Sequence, residues 1–226
     1  MKTIVFDTSS IITLVTNNLL DLLRPLKKKF KGEFYIPKSV EFELVDKPLH
    51  GRMYKLEALI VRNTIKENAL KVYPKEIPVE SLLDKMNNLF FFDKKPIQLV
   101  SKAEVEALAL AINIDSLAYV VDERTIRLLI ENPLKLKKLQ ERKLHSKIII
   151  NKKNLLDLSE YTKNIKVIRS TELMLVAYEL GFFDKLLKDT STSDLLEAVL
   201  WGLKLRGCAI SEGEVEAFVE LESWYN

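Results

Sequence analysis

Four carboxylates stand where the pattern of the chain delivers acids to the ends of buried elements: Asp7, Glu43, Glu104 and Asp122. Asp7 follows Thr3-Ile4-Val5-Phe6 and precedes Thr8-Ser9-Ser10. This short β-branched run, stopped by an acid and small hydroxyl residues, reads as a buried strand with a carboxylate at its C-terminal end. Leu117-Ala118-Tyr119-Val120-Val121 repeats the device and runs into Asp122-Glu123-Arg124. Open α/β sheets place their chemistry at that end. Glu43 follows Pro37-Lys38-Ser39 on a helix where it shares a face with Val40 and Leu44, while Glu41 falls elsewhere. Glu104 opens the helical run Lys102–Ile112, with Ser101 as its predicted N-cap and Glu104 at the matching capping-box position. Carboxylates gathered at one sheet edge repel unless a hard cation neutralises them, and an oxygen-only set favours Mg²⁺ or Mn²⁺. Such an ion positions phosphodiester oxygens and activates water, so phosphodiester hydrolysis is the reaction these residues suit.

The elements that must position these acids follow in order. Helical spacing continues from Ile11 to Leu23 and ends at Arg24-Pro25, and Phe34-Tyr35-Ile36 reads as a second strand. Gly51 to about Val72 has helical periodicity, and Val79 to Phe92 reads as a further helix ending in Phe90-Phe91-Phe92, a core or dimer contact. After Asp122 a helix runs to about Ile130, and Pro133 restarts a basic helix to about Leu144. Lys147–Ile150 and Ile165–Ile168 are candidate strands, and the helix from Ser170 is stopped by Gly181. Two helices close the chain, Asp194–Leu205 and Ser211–Glu222. Strands alternating with helices predict an α/β fold: a central parallel sheet of about 4–5 strands covered by helices on both faces, with the two strands that end in aspartate as neighbours.

At 226 residues and 47% hydrophobic, the chain is long enough to bury a full core. The formal net charge is only +3, yet its distribution is uneven. Between Glu131 and Lys153 eight Lys or Arg face two Glu, and from Asp189 to Asn226 eight acids face two bases. A polyanion-facing side and a separate acidic tail are expected, the tail docking on a partner, a second subunit or the chain's own basic run. Cys208 is the single cysteine, which excludes an intramolecular disulfide and a thiolate metal centre and fits a reducing compartment. Lys2 before apolar residues superficially resembles a signal peptide, but Asp7 interrupts the run. No stretch reaches the roughly 18 apolar residues of a membrane span, so a soluble cytoplasmic protein is expected.

The motifs carry a family resemblance. Val-Phe-Asp7-Thr-Ser9-Ser10, then Ile-Pro37-Lys-Ser-Val-Glu-Phe-Glu43-Leu, then Ala-Glu104-Val-Glu106-Ala-Leu-Ala-Leu-Ala, then Val-Val-Asp122-Glu123-Arg124, in that order, resemble the PIN-domain nucleases. They are similar in particular to archaeal and bacterial PIN proteins related to the ribonuclease toxins of toxin–antitoxin pairs. The resemblance implies a metal site of Asp7, Glu43, Glu104 and Asp122 holding Mg²⁺ or Mn²⁺, with Ser9 supporting Asp7 and Glu123 as a second acid beside Asp122. Val167-Ile168-Arg169-Ser170-Thr171-Glu172-Leu resembles the family's last strand-to-helix turn, which makes Ser170 or Thr171 the hydroxyl facing the site. Where such proteins commonly carry Gly before the third-motif glutamate, this chain has Ala103.

A single PIN-like domain over 1–226 is therefore expected, with a helical insertion about 47–100, a basic insertion about 131–165 and a C-terminal helical pair about 191–226. Its implied activity is a metal-dependent endoribonuclease, with Lys135, Lys137, Lys138, Arg142, Lys143 and Lys147 on the RNA. A homodimer, an antitoxin or another protein partner is compatible with the resemblance. The alternative is a non-catalytic RNA-binding or assembly protein. A phosphotransferase of the haloacid-dehalogenase type wants Asp-x-Asp, and position 9 is Ser; no Gly-rich loop ends in Gly-Lys-Ser/Thr, which excludes a P-loop NTPase.

Overall fold

A computed structural model describes residues 1–183 and 192–223, with the side chains of 192, 193, 222 and 223 left aside. Part of the acidic tail that begins at Asp189, and both limits of the helical pair at 191 and 226, lie outside the described residues. Strand β1 (Thr3–Phe6) leads to α1 (Thr8–Thr16), α2 (Leu23–Phe30) and β2 (Glu33–Ile36). Helix α3 (Lys38–Glu41) widens into a π turn (Phe42–Asp46) before α4 (Lys47–Leu49), α5 (Lys55–Lys66) and β3 (Lys71–Val72). Next come α6 (Glu80–Asn87), β4 (Phe90–Phe92), β5 (Lys95–Pro96), α7 (Lys102–Asn113) and β6 (Ala118–Val120). The chain continues through α8 (Arg124–Glu131), α9 (Pro133–Leu144), β7 (Ile149–Ile150), α10 (Lys152–Thr162), β8 (Val167–Ile168) and α11 (Ser170–Glu179). Helices α12 (Thr192–Leu205) and α13 (Glu212–Ser223) follow.

Five parallel strands form the main sheet in the order β3-β2-β1-β6-β8. All four β1 residues are buried, as an apolar run in the middle of a parallel sheet requires. Ile4 pairs with Ala118, Val5 with Tyr119 and Phe6 with Val120, so the two strands that end in aspartate are neighbours. From β1 the sheet grows one way through β2 and β3 and the other way through β6 and β8. The reversal falls between β1 and β6, and a crevice at that switch point is where open α/β sheets bind ligands.

The structure departs from the sequence reading in three places. Lys71-Val72, expected at the end of a helix, is the edge strand β3 beside β2; α5 ends at Lys66 and Asn68 takes the left-handed φ of 59° that turns the chain. Phe90–Phe92 is a strand, not the tail of a helix. Asn87 ends α6 by turning its amide outward: Oδ1 accepts from Leu99 N (2.7 Å) and Val100 N (3.0 Å), and Nδ2 donates to Val100 O (2.9 Å). Asp93 and Lys94 both have positive φ, 46° and 62°, as a two-residue hairpin loop demands, and so fold β5 back on β4. Ile149-Ile150 is indeed a strand, but it pairs antiparallel with β4 in a separate three-stranded sheet, order β5-β4-β7. Phe90 there is fully buried and belongs to the core. Among the described residues no helix is long and apolar enough to cross a membrane.

Candidate functional site

The pairing of β1 with β6 decides the geometry of the acids. Asp7 N donates to Val120 O (3.0 Å), carrying the ladder one residue past β1. The Asp7 side chain caps α1, its Oδ2 accepting from Ser9 N (3.2 Å) and from Ser9 Oγ (2.8 Å). Ser9 Oγ in turn accepts from Asp122 N (3.1 Å) and Glu123 N (3.2 Å). One hydroxyl thus ties the Asp7 carboxylate to the end of β6. Ser10 Oγ adds a second tie, donating to Asp7 O (2.8 Å) and Val120 O (3.2 Å).

Asp122 is fully buried and held from the other side. Its Oδ1 accepts from Ser170 N and its Oδ2 from Ser170 Oγ, both at 2.7 Å. Of the two hydroxyls left open by the sequence, Ser170 is therefore the one on the acid. Thr171 Oγ1 donates to Glu172 (3.0 Å) and lies 3.8 Å from Cys208 Sγ. Burial, and then the charge of Asp122, push the Cys208 thiol up to about 12, so it is an inert neighbour rather than a nucleophile. Ala209 N closes over the strand end by donating to Asp122 O (3.2 Å).

The remaining acids flank this pair. The π turn buries Leu44 and Val45 and leaves Phe42 exposed, with Glu43 half-buried and its Oε2 accepting from Thr8 Oγ1 at 2.7 Å. Thr8 sits between Asp7 and Ser9, so the bond draws Glu43 to the same strand end. Such π turns recur at functional sites. Glu104 completes a capping box on α7, accepting from Ser101 N (2.6 Å) through Oε2. Its negative charge is also felt at Asp7. Glu123 caps α8, accepting from Ile126 N (2.8 Å).

Burial is the main cause that pushes Asp7 up to about 6, with Glu104 adding to it against the hydrogen bonds from Ser9. Asp7 Oδ1 is buried and has no protein partner. That open oxygen, and the Oε1 atoms left over on Glu43 and Glu104, are oxygen donors of the kind a hard divalent cation takes. Asp122 keeps lone pairs beyond those that Ser170 fills. The residues fit Mg²⁺ or Mn²⁺ in kind, although among the described residues no three His, Cys, Asp or Glu stand close enough to enclose an ion.

Sequence reasoning passed over Tyr119. It shares the register of Val5, two residues before Asp7, and is wholly buried with an unpartnered hydroxyl. Burial first, then the charges of Asp7, Glu104 and Glu123, raise it well above an ordinary tyrosine. A polar tip within the apolar run that ends at Asp122 was the signal that pointed to it. Tyr119→Phe is expected to leave thermal stability unchanged or raise it by up to ~1 kcal/mol, because it deletes a buried hydroxyl that no protein group satisfies. Differential scanning calorimetry checks this, and a clear loss of stability would reveal a bond that the hydroxyl makes.

The basic segment is solvent-facing: Lys135, Lys138, Arg142, Lys143 and Lys147 are exposed, whereas Lys137 is paired with Glu141 at 2.6 Å. His50 and His145 are both exposed and stand on other elements, α4's end and α9's left-handed cap.

A family model described as PIN domain (DUF3368) matches residues 3–137, which takes in Asp7, Glu43, Glu104 and Asp122 and ends within α9. Neither a curated protein nor a solved structure matches the chain.

Proposed function

Because the chain belongs to the DUF3368 PIN-domain family, we propose that it is a metal-dependent endoribonuclease whose site is built on Asp7 and Asp122. Membership of that family suggests a nuclease-like function and a nucleic-acid substrate. The observation that supports this reading best is the open Oδ1 of Asp7, a buried carboxylate oxygen without a protein partner at the sheet's switch point.

Asp7, Glu43, Glu104 and Asp122 would hold the cation. When bound, Mg²⁺ or Mn²⁺ would neutralise charge on the phosphodiester and lower the pKa of a water so that, once deprotonated, it can act as the nucleophile on phosphorus. The chain's own contribution is orientation. Ser9 fixes the plane of the Asp7 carboxylate through Oδ2, leaving Oδ1 free to bind or to accept a proton. Ser170 fixes Asp122 by two bonds, and Thr8 turns Glu43 towards the same end. Hydrogen-bonded partners of this kind set the geometry and basicity of carboxylate ligands.

A second reading has its own observation. Glu104 and Glu123 serve as helix caps, and no enclosed cluster of acids is present among the described residues, which also suits a non-catalytic RNA-binding module. Labelled structured and single-stranded RNAs, incubated with the purified chain in Mn²⁺, Mg²⁺ or EDTA, separate the two. Internal cleavage that needs the metal and disappears in Asp122→Asn is the expected result. Binding without cleavage in any metal would remove the enzyme and leave the binding module.

A further inference from the structure

A strongly polar pocket opens at the start of α8, next in the chain to Asp122 and Glu123. It has a volume of about 430 Å³ and is lined chiefly by Arg124, Arg127, Asn132, Lys135, Ser211 and Glu214. Its floor is one face of α8, where Arg124, Arg127 and Glu131 follow each other at helical spacing. One wall is the start of α9, capped by Asn132, whose Oδ1 accepts from Lys135 N (2.9 Å). The other wall is the turn through Ala209 whose amide rests on Asp122.

The charges inside are not equivalent. Glu214 is already engaged, accepting from Ser211 N (2.9 Å), Ser211 Oγ (2.7 Å) and Arg169 Nη1 (2.9 Å). Glu131 lies 4.0 Å from Arg127 Nη1, and Arg127 Nη2 donates to Ala209 O at 3.0 Å. Arg124 and Lys135 are exposed and make no side-chain hydrogen bond or ion pair among the described residues. The two anions are therefore answered within the protein, while two cations converge on the pocket without an anion of their own. A polar lining with surplus positive charge selects an oxyanion rather than an apolar ligand.

We propose that this pocket seats a backbone phosphate of the RNA chain next to the one presented to Asp7 and Asp122. Two features make a polymer, rather than a free phosphate, the occupant. Arg124 is only two residues beyond Asp122, so the pocket begins where the acid site ends. From the pocket Lys135, Lys138 and Arg142 continue along α9 at intervals of three and four, a row of exposed cations about 10 Å long at 1.5 Å per residue. A single anion has no use for that row, and a strand of phosphates does. The inference rests on RNA being the ligand; it holds for the nuclease and for the binding module alike.

The test is binding of a labelled single-stranded RNA to the full chain in EDTA, where no metal-dependent cleavage occurs, followed by fluorescence anisotropy over a range of KCl. Arg124→Gln, Lys135→Gln and the double variant are compared with wild type, and Lys66→Gln, an exposed lysine on α5 outside the basic run, serves as the control. Each pocket variant should lower the slope of log K against log[KCl], and the double variant should lower it by about 0.7 in all, the value for one phosphate contact to a single strand. Lys66→Gln should leave it alone. Exposed sites keep the fold intact, which circular dichroism verifies. If wild type binds no RNA, the RNA reading itself fails. If wild type binds and the slopes of the variants are unchanged, the pocket is not a phosphate seat. Inorganic phosphate is titrated in parallel: competition with RNA at micromolar concentration, lost in the double variant, would make a free phosphate the occupant and overturn the polymer.

Discussion

Asp7→Asn is expected to reduce metal-dependent RNA cleavage by three or more orders of magnitude and, at neutral pH, to make the metal-free protein more stable. Asparagine has the shape of aspartate and keeps an oxygen for Ser9 N and Ser9 Oγ, so the α1 cap survives. What it loses is the charge at the open Oδ1. Removing several kcal/mol of electrostatic stabilisation at a reacting phosphate costs one power of ten per ~1.4 kcal/mol. The stability effect has the opposite sign. Asp7 is 2% exposed, and burial moves its pKa from 3.8 to about 6. That rise corresponds to about 3 kcal/mol against the ionised form. A carboxyl raised in the folded state contributes stability that is present below its unfolded pKa and is lost as pH climbs through the folded value. Metal-free wild type should therefore lose stability relative to Asp7→Asn between about pH 4 and pH 6. The difference between the two proteins, measured by thermal denaturation in EDTA, isolates this group from the depressed acids, which titrate lower. Mg²⁺ or Mn²⁺ should restore wild type and not the variant, with an affinity that rises over the same pH range as Asp7 releases its proton. Equal pH dependence in both proteins, or cleavage retained by Asp7→Asn, would remove Asp7 from the centre of the site.

How much of the fold and the site is legible in the sequence depends on the range of the interaction. β1, β2 and β6 carry their signal locally, in β-branched runs stopped by an acid or a proline, and the structure places them where that pattern puts them. β3 and β4 do not. Lys71-Val72 is two residues long and owes its state to pairing with Tyr35 and Ile36, far away in the chain. Phe90–Phe92 continues a helical spacing that is broken only because Asn87 binds the returning segment at Leu99 and Val100, and because Asp93-Lys94 adopt a turn more often built from Asn-Gly. Types of site residue are readable in the same uneven way. Two acids ending neighbouring strands follow from topology. That Ser9, rather than a side chain of another acid, links them, and that Ser170 rather than Thr171 holds Asp122, are facts of hydrogen-bond direction that no spacing encodes. The capping box that Glu104 completes is visible in the sequence, because that motif is local.

The last helix is coupled to the site through one buried cation, and Arg169→Leu is the substitution expected to unfasten it. Arg169 is 7% exposed and stands immediately before Ser170. Its guanidinium donates to Glu172 through Nε at 2.8 Å and also through Nη2, while Nη1 reaches Glu214 at 2.9 Å and Ala209 O at 3.4 Å. It thus gathers the first turn of α11, the start of α13 and the turn whose amide covers Asp122. Removing one partner of a buried ion pair costs about 3–5 kcal/mol because the other charge stays behind. Here both carboxylates retain some exposure, 32% and 46% of their side chains, so the lower end applies, about 3 kcal/mol. For a chain of this length that is a fall in Tm of roughly 6–12 °C. The pH dependence has a defined sign. Glu214, though burial opposes it, is drawn down to about 2 by Ser211 and Arg169, and Glu172 is likewise lowered by Arg169. Such depressed acids contribute stability that is present above their unfolded pKa, near 4.5, and is lost as pH falls towards 2. Wild type should therefore show an acid-side loss that Arg169→Leu has largely forfeited already. Pairing Arg169→Leu with Glu172→Leu should recover part of the loss, since an apolar pair leaves less charge behind than a broken salt bridge. A Tm within 2 °C of wild type would mean that α13 is held by its apolar face alone, and that the roof over Asp122 does not depend on this arginine.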